Sequence, residues 1–236
     1  GEAPRFVAIV HDISDRKRIE AELNWKNRQG DIISRAQSAF IAHTDSRASF
    51  ETLLTGLLEL ADSEYGFIGE VLHTADDLPY LRTHAITNIA WDEATRSFYA
   101  EHAPQGMEFT NLESLFGAAL KTGEPVIAND PANDSRSGGT PPGHPPLNAF
   151  LGIPLYAGKE MVGMAGIANR TGGYDARLVE SLSAFSSTCA HLIVEYRIEQ
   201  QRIAAEEREK HNEQRLRAVL DNVLEMIISI DRRGIV

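Results

Sequence analysis

Apolar positions in the central part of the chain follow two periods, one typical of helices and one typical of strands. Between residues 50 and 61 apolar side chains recur three and four positions apart, which predicts a helix packed on a core. Runs rich in β-branched and aromatic residues predict two hairpins and a lone strand. The hairpins are at 65–72 with 78–86 and at 150–156 with 161–169, the lone strand is at 126–128, and shorter helices are predicted at 91–101 and 112–121. These elements predict an α+β fold with an antiparallel sheet.

Both flanks of the chain predict long helices. Residues 6–13 predict a strand, after which a charged helix runs from Arg16 and is loosened at Gly30. Its weak seam comprises Ile19, Leu23, Lys26, Gly30, Ile33, Gln37 and Phe40. A second long helix is predicted from Asp175, with an apolar stripe packed either against the sheet or against a twin helix. The stripe comprises Leu178, Leu182, Phe185, Cys189, Leu192 and Tyr196. Beyond it, six acidic and six basic residues within 195–217 predict a solvated connecting helix, and residues 226–230 predict the start of a strand.

Residues 129–146 are predicted to form a long, stiffened loop. The segment holds 5 of the 10 prolines and 3 glycines, so it can be neither a helix nor a central strand. Long loops are often functional, and a stiff backbone loses little entropy on binding. Its polar candidates for binding are Asn129, Asp130, Asp134, Arg136 and His144. The structural alternative is a lid, in which Asn129 and Asp130 make Asx turns and the prolines cover one face of the sheet.

The charge distribution narrows the classes of partner. The net charge of −11 falls on residues 29–194, which hold 20 acidic and 9 basic residues. An acidic centre repels phosphate backbones, so nucleic acid is not expected as a partner, and a small ligand or another protein is favoured. The sequence shows no export signal and no uninterrupted apolar run of about 18 residues, so we expect no membrane contact and a cytoplasmic location.

Motifs of catalytic sites are missing from the sequence or fail on spacing. Gly152, Gly158 and Lys159 resemble a phosphate-binding loop, but five residues separate the glycines where four are required, and Glu160 replaces the hydroxyl residue. Cys189 is the single cysteine, so no internal disulfide or dithiol chemistry can form, and its place on the apolar stripe predicts a buried hydrophobe. We therefore expect no catalytic residue and no metal site, and the sequence identifies no cofactor.

Three segments resemble sensory domains of bacterial signalling proteins. HDISDRKRIEAEL (11–23) resembles the last strand and exit helix of a PAS domain, and LRAVLDNVLEMIISIDRRGIV (216–236) resembles the opening of another. Between them, KTGEPVIAND (121–130) and LGIPLYAGKEMVGMAGIANR (151–170) resemble parts of a GAF domain. The resemblance assigns residues 1–28 to the end of one PAS domain, 29–197 to a GAF domain, 198–215 to a helical linker and 216–236 to the start of a second PAS domain.

The resemblance implies a fold and restricts the specialised functions. GAF domains have a six-stranded or similar antiparallel sheet, with helices on one face that form a dimer layer and a ligand pocket on the other. Tetrapyrrole-binding members attach the chromophore through a cysteine near a loop histidine, whereas His144 precedes two prolines and Cys189 is distant in sequence. Methionine-sulfoxide reductases of this fold use several cysteines. The cyclic-nucleotide pattern is matched only loosely, by Asn169, Arg170, Tyr174 and Asp175.

These observations favour a non-catalytic sensory fragment that relays a signal through long terminal helices in a parallel homodimer. The preferred parent is a sensor histidine kinase, with a diguanylate cyclase as the alternative; a structural dimerisation spacer that binds nothing is the alternative from another class. The stripe from Leu178 to Tyr196 is the predicted dimer and linker seam. The expected ligand-binding residues are Asn129, Asp130, Arg136 and His144, with Trp91 and Phe98 as aromatic candidates whose alternative is a place in the core.

Overall fold

A computed structural model describes residues 14–41, 46–87, 106–140 and 144–233 of the chain. Five helices and six strands lie within these ranges. The helices are α1 (Ser14–Ile41), α2 (Ser46–Ala61), α3 (Leu115–Thr122), α4 (Ala176–Ser181) and α5 (Ser183–Arg233). The strands are β1 (Tyr65–His73), β2 (Pro79–Ile86), β3 (Glu108–Phe109), β4 (Val126–Ala128), β5 (Phe150–Ala157) and β6 (Glu160–Ala168). The predicted strand at 6–13 and helix at 91–101 lie outside the described residues.

The six strands form one antiparallel sheet in the order β3-β2-β1-β6-β5-β4. The predicted hairpins and lone strand are confirmed, as is the α+β class, and β3 is an addition that the sequence pattern did not reveal. Pro154 lies opposite Met164 of β6, while β4 pairs only with residues 150–152 of β5. The other side of β5 is therefore unpaired at Pro154, which is the condition a proline in a sheet requires.

The two faces of the sheet carry different helices. Val71, Phe150 and Met164 form one apolar cluster with the buried residues of α3, including Leu115, Ala119 and Leu120. On the opposite face α2 packs on β1 and β2, and Phe50 of α2 stacks on His84 of β2. The expected helical layer corresponds to α2 with α1 on it, and the helix predicted at 112–121, observed as α3, packs on the other face.

Helix α1 lies on α2 and is continuous through Gly30. Its buried residues are Gln29, Ile32 and Ala36, one position away from the predicted seam at Gly30, Ile33 and Gln37. Because α1 is strongly charged, a few apolar residues define the seam poorly, and the prediction of its register was wrong. Gly30 is exposed and leaves the helix intact.

The predicted helix after Asp175 is two helices. The Asp175 carboxylate accepts a hydrogen bond from the Leu178 N–H at 2.8 Å and caps α4, which ends at Ser181. Along α4 and α5 the predicted seam is buried within one chain: Leu178 is 9%, Leu182 0%, Phe185 1% and Leu192 6% exposed. Of the two alternatives for the stripe, burial within its own domain therefore applies to these four side chains, and they are not exposed dimer contacts. Tyr196 is partly exposed.

The C-terminal part of the chain also differs from its predicted secondary structure. Residues 226–230 belong to α5, which runs to Arg233, so the predicted strand is wrong. A helix satisfies its backbone hydrogen bonds within itself, and extending an existing helix avoids the cost of nucleation, whereas a strand needs a neighbour. Residues 193–236 form a compact unit separate from 1–192. Exposed apolar side chains in this unit are Ile198, Ile203, Leu216, Val219 and Leu220.

Candidate functional site

The first predicted ligand residue, Asn129, holds the turn before α4. Its side-chain Nδ2 donates to the Tyr174 carbonyl at 3.0 Å, and its Oδ1 accepts from the Tyr174 N–H at 2.8 Å. Gly173 has φ +79° and sits so close to the Asn129 amide that a Cβ there would lie 2.6 Å from Oδ1. The Asn129 side chain therefore makes with the Tyr174 backbone the same pair of hydrogen bonds that a residue of a neighbouring strand would make.

Asp130 and Arg136 are engaged by neighbouring residues of the same loop. Asp130 Oδ2 accepts from Asn133 Nδ2 at 2.8 Å. The Arg136 guanidinium makes two hydrogen bonds to Asp134, at 2.9 and 2.6 Å, and a third to the Ile127 carbonyl of β4 at 2.9 Å. Hydrogen bonds from the Arg136 side chain and backbone lower the pKa of Asp134 to about 2. The pair fixes the loop against the edge strand.

His144 belongs to a polar cluster at the start of β1. Its Nδ1 lies 2.8 Å from the Pro145 carbonyl oxygen, and its ring packs edge-on against Tyr65 at 5.7 Å between centroids. Tyr65 donates to the Pro146 carbonyl at 3.2 Å, and Asn169 Nδ2 donates to the same oxygen at 2.9 Å and to Glu64 Oε2 at 2.8 Å. Burial, with the Glu64 charge as a smaller cause, raises the pKa of Tyr65 to about 12.

The polar candidates therefore do not converge on a single point. Within the described part of the chain, hydrogen bonds connect Asn129 to Tyr174, Asp130 to Asn133 and Arg136 to Ile127, and the bonds from Arg136 to Asp134 are the ones that join two candidates. Asn129 binds the Tyr174 backbone and Asp130 binds the Asn133 side chain, so these hydrogen bonds are not the Asx turns expected for a lid. Trp91 and Phe98 lie outside the described residues. A ligand role for these two residues and for Asn129, Asp130, Arg136 and His144 stays a prediction.

An apolar surface lies on the face of the sheet that α3 partly covers. Phe67, Phe109 and Phe116 pack in sequence, with ring centroids 5.2 and 5.5 Å apart, and all three are only partly buried. Close packing of the residues 111–113 against Gly138 brings the 129–140 loop to the edge of α3. We call Phe67, Phe109 and Phe116 the aromatic surface. Sequence reasoning missed it because its members come from three separate elements.

A groove of about 510 Å³ runs along the C-terminal half of α2. Its lining combines the carboxylates of Glu51, Glu59, Asp62 and Glu64 with the apolar side chains of Leu54, Leu58 and Ile86, and it also contains Thr55, Ser63 and Thr87. Among the described residues, no three or more acidic, histidine or cysteine side chains gather as a metal site. The charge of this groove disfavours anionic ligands.

A buried carboxylate lies under α2 that the sequence pattern did not reveal. Glu70 on β1 is 2% exposed, and its Oε1 accepts from Arg82 of β2 at 2.9 Å. His84 Nε2 lies 3.8 Å from the same oxygen. The register of the β1–β2 pair shifts between Ile68 and Gly69, and His84 is the additional residue of β2 at that point. Burying a charge is costly unless it is paired, and the ion pair with Arg82 offsets part of that cost. An acidic residue inside an apolar strand run is the signal that could have revealed this pair.

Two further features are the state of the single cysteine and the hydrophobicity of the helices. Cys189 is fully buried, and burial raises the pKa of its thiol, so little thiolate forms at neutral pH. No helix in the described ranges combines the length and the hydrophobicity that a bilayer crossing needs.

The sequence pattern of the GAF domain family matches residues 43–194. This match covers more than half of the chain. The chain belongs to the GAF domain family. Members of this family are generally non-catalytic sensory domains. The matched GAF segment contains the whole sheet, α2, α3, α4 and the beginning of α5.

Solved GAF domains share the fold. The GAF domain of a phosphoenolpyruvate-protein phosphotransferase from Coxiella burnetii matches with a TM-score of 0.60 at 14% identity, over 76% of this chain and 98% of that one. Its counterpart from Acinetobacter gives 0.55 at 14% identity, over 73% and 93%. Free methionine-R-sulfoxide reductase from Neisseria meningitidis, solved with its substrate, gives 0.53 at 12% identity, over 81% and 95%. At these identities the similarity shows the fold alone.

A curated sequence relative is described as a sensor. The methyl sulfide methyltransferase-associated sensor of Methanosarcina acetivorans is 34% identical over 87 residues, which is 36% of this chain. The aligned part spans 9% of the length of that relative.

Proposed function

We propose that this chain is a sensory segment of a signal-transduction protein, in which the GAF domain binds a small molecule and α5 passes the change to an output domain. Membership of the GAF family carries the proposal, and the sensor description of the Methanosarcina relative supports it. The buried state of Cys189 argues against the several-cysteine chemistry expected of the sulfoxide reductases with this fold.

We place the ligand on the aromatic surface. Phe67, Phe109 and Phe116 retain accessible area beside a loop whose polar residues are fixed by internal hydrogen bonds. Ligand sites are mostly apolar with a few placed polar groups, and that description fits this surface better than the acidic groove along α2. A neutral or weakly charged organic molecule with a flat apolar part is the class that suits it.

Thermal unfolding with a panel of metabolites tests ligand binding. A ligand at about 100 times its Kd stabilises the folded state by about 2.7 kcal/mol, which raises the Tm of a domain this size by roughly 5–10 °C. Phe116→Leu removes one ring of the aromatic surface and should reduce the increase. Phe40→Leu makes the same change on α1 and should leave it intact. A ligand response that Phe116→Leu does not alter would contradict the assigned surface.

A structural spacer is the second candidate. It is favoured by the internal hydrogen bonding of Asn129 and Arg136, which leaves these loop residues occupied without a ligand. A panel that produces no change in Tm, with the protein folded and cooperative, would support the spacer over the sensor.

We further propose that the protein forms a parallel homodimer and that its parent is a sensor histidine kinase, with a diguanylate cyclase as the alternative. Exposed apolar side chains on α5, such as Ile198, Ile203 and Leu216, supply surface for helix pairing. Light scattering at high concentration tests the dimer, and a monomer would contradict it. The flanking PAS segments and the cytoplasmic location remain part of this proposal.

A further inference from the structure

One polar side chain on α1 is buried although its helix is mostly exposed. Gln29 is 7% exposed, and its side-chain Nε2 donates to the carbonyl oxygen of Ser181 at 3.2 Å. The two residues are 152 positions apart in the sequence. A buried amide of this kind needs its hydrogen bond, because an unmet donor in the interior has lost its bond to water without replacement. The contact is therefore a specific link between two distant segments.

The acceptor lies at the junction between α4 and α5. In an uninterrupted helix the Ser181 carbonyl would accept the N–H four residues later, but α4 ends at Ser181 and Leu182, at φ −82° and ψ −1°, lies between α4 and α5 as its C-cap. Backbone bonds on either side join Leu182 N to Leu178 O at 3.0 Å and Ser186 N to Leu182 O at 2.9 Å. Carbonyls at a helix end need partners from outside the helix. Gln29 supplies one for Ser181.

Helix α1 is itself fixed on α2 on either side of Gln29. Trp25 Nε1 donates to the Leu60 carbonyl at 3.4 Å, four residues before Gln29. Ile32, three residues after it, fills the space that the missing side chain of Gly56 leaves on α2. Ala36 is fully buried one turn later. Displacing α1 along α2 therefore also displaces the Gln29 amide.

We infer that Gln29 is a positioning residue that couples α1 to the start of α5, through its hydrogen bond to the Ser181 carbonyl. A shift of α1 changes the geometry of the α4–α5 junction directly, without passing through the sheet. This inference deepens the proposed sensory function and rests on it for the biological meaning of the coupling. The physical link itself is testable without any ligand or output domain.

Hydrogen–deuterium exchange of the backbone amides at 183–187 measures the link. Gln29→Met keeps the length and helix propensity of the side chain but removes the donor, so exchange at the junction should become about threefold to tenfold faster. Gln37→Met makes the same substitution on an exposed position of α1 and should leave exchange unchanged. Gln29→Leu, which also lacks the donor, is a second variant that should match Gln29→Met.

A double-mutant cycle distinguishes coupling from a merely stabilising contact. Ile32→Ala loosens α1 on α2, and with Gln29 present it should accelerate exchange at 183–187. In the Gln29→Met background the same Ile32→Ala change should add little at the junction, because the link is already broken. Urea unfolding of each variant gives the global stability against which the local effect is judged.

Two results would overturn the inference. One is junction exchange in both Gln29 variants that equals that of the unchanged chain. The other is additivity of Ile32→Ala and Gln29→Met at residues 183–187, since additive effects mean independent sites. Either result leaves the ligand test on Phe116 unaffected, and a failed ligand test leaves a measured coupling intact, so the two proposals fail separately.

Discussion

Two glycines inside helices should respond to the same substitution with opposite signs. Gly30 on α1 is exposed, and a Cβ added there would meet no atom within 4 Å. Gly56 on α2 faces α1, and a Cβ there would clash with Cγ2 of Ile32 and lie 2.9 Å from its Cδ1. Both glycines are in helical segments, so alanine gives each helix the same intrinsic gain of about 1 kcal/mol.

The expected free energies of unfolding follow from this difference. Gly30→Ala should stabilise the protein by about 1 kcal/mol, because only the propensity gain applies. At Gly56 the clash involves the branched part of Ile32, which is buried at 3% exposure and has little space into which to move. Overpacking of this kind costs typically 1–3 kcal/mol, so Gly56→Ala should be neutral to destabilising by about 2 kcal/mol. The two variants should therefore differ by about 1–3 kcal/mol.

Urea unfolding followed by circular dichroism measures both variants under the same conditions. The slope of free energy against urea should stay constant, so that the midpoint reports stability alone. Ile32→Ala combined with Gly56→Ala should lose less stability than the sum of the single changes, because the clash is then absent. Equal stabilisation by Gly30→Ala and Gly56→Ala would refute the reasoning, since it would mean that Ile32 does not press on Gly56 in solution.

Three further changes test the loop and its anchors. The pKa of Asp134 is lowered to about 2, so its ion pair with Arg136 should stabilise the fold above about pH 4 and lose that contribution as the pH falls towards 2. Because Arg136 is 43% exposed, we expect this contribution to be about 1 kcal/mol. The urea midpoint measured against pH reports it, and Asp134→Asn should remove this part of the pH dependence. Asn129→Ala removes both bonds to the Tyr174 backbone and should cost about 1–2 kcal/mol in thermal unfolding, and no loss would show that the turn holds itself. Tyr65 should titrate near pH 12 in an ultraviolet absorbance titration compared with Tyr65→Phe, and a titration at its ordinary value near 10 would contradict its burial.

The strands could be predicted well because their residue types and turns agree locally. Val126–Ala128 was predicted at its observed bounds, and both hairpins were predicted within one residue at each end. Helix α3 ends before Gly123, which adopts φ +69° at the C-cap, a conformation that a glycine tolerates without a steric penalty. The alternation of apolar and polar residues and the residue types of turns are set by a few neighbouring positions, so they can be recognised in a single sequence.

Features that depend on tertiary contacts could not be predicted. The break at Leu182 has no glycine or proline to mark it, and the buried face of α1 is set by the fit of Ile32 to Gly56. The strand predicted at 226–230 failed because β-branched residues can also extend a helix that already exists.

The candidate site was predicted less well than the fold. Loop position and polar character were visible, but the partners of Asn129 and Arg136, namely Tyr174 and the Ile127 carbonyl, are 45 and 9 residues away and carry no local signal. The aromatic surface joins Phe67, Phe109 and Phe116 from three elements, which only the sheet brings together. Site residues contributed by separate elements need the fold before they can be recognised.

The contact between Arg136 and β4 also bears on how the protein behaves at high concentration. Strand β4 ends one side of the sheet, and a terminal strand with open carbonyls can recruit the backbone of another molecule. Arg136 occupies the Ile127 carbonyl and places a positive charge beside it. The guanidinium therefore takes up an acceptor that a seventh, foreign strand would need, which disfavours edge-to-edge pairing of two molecules.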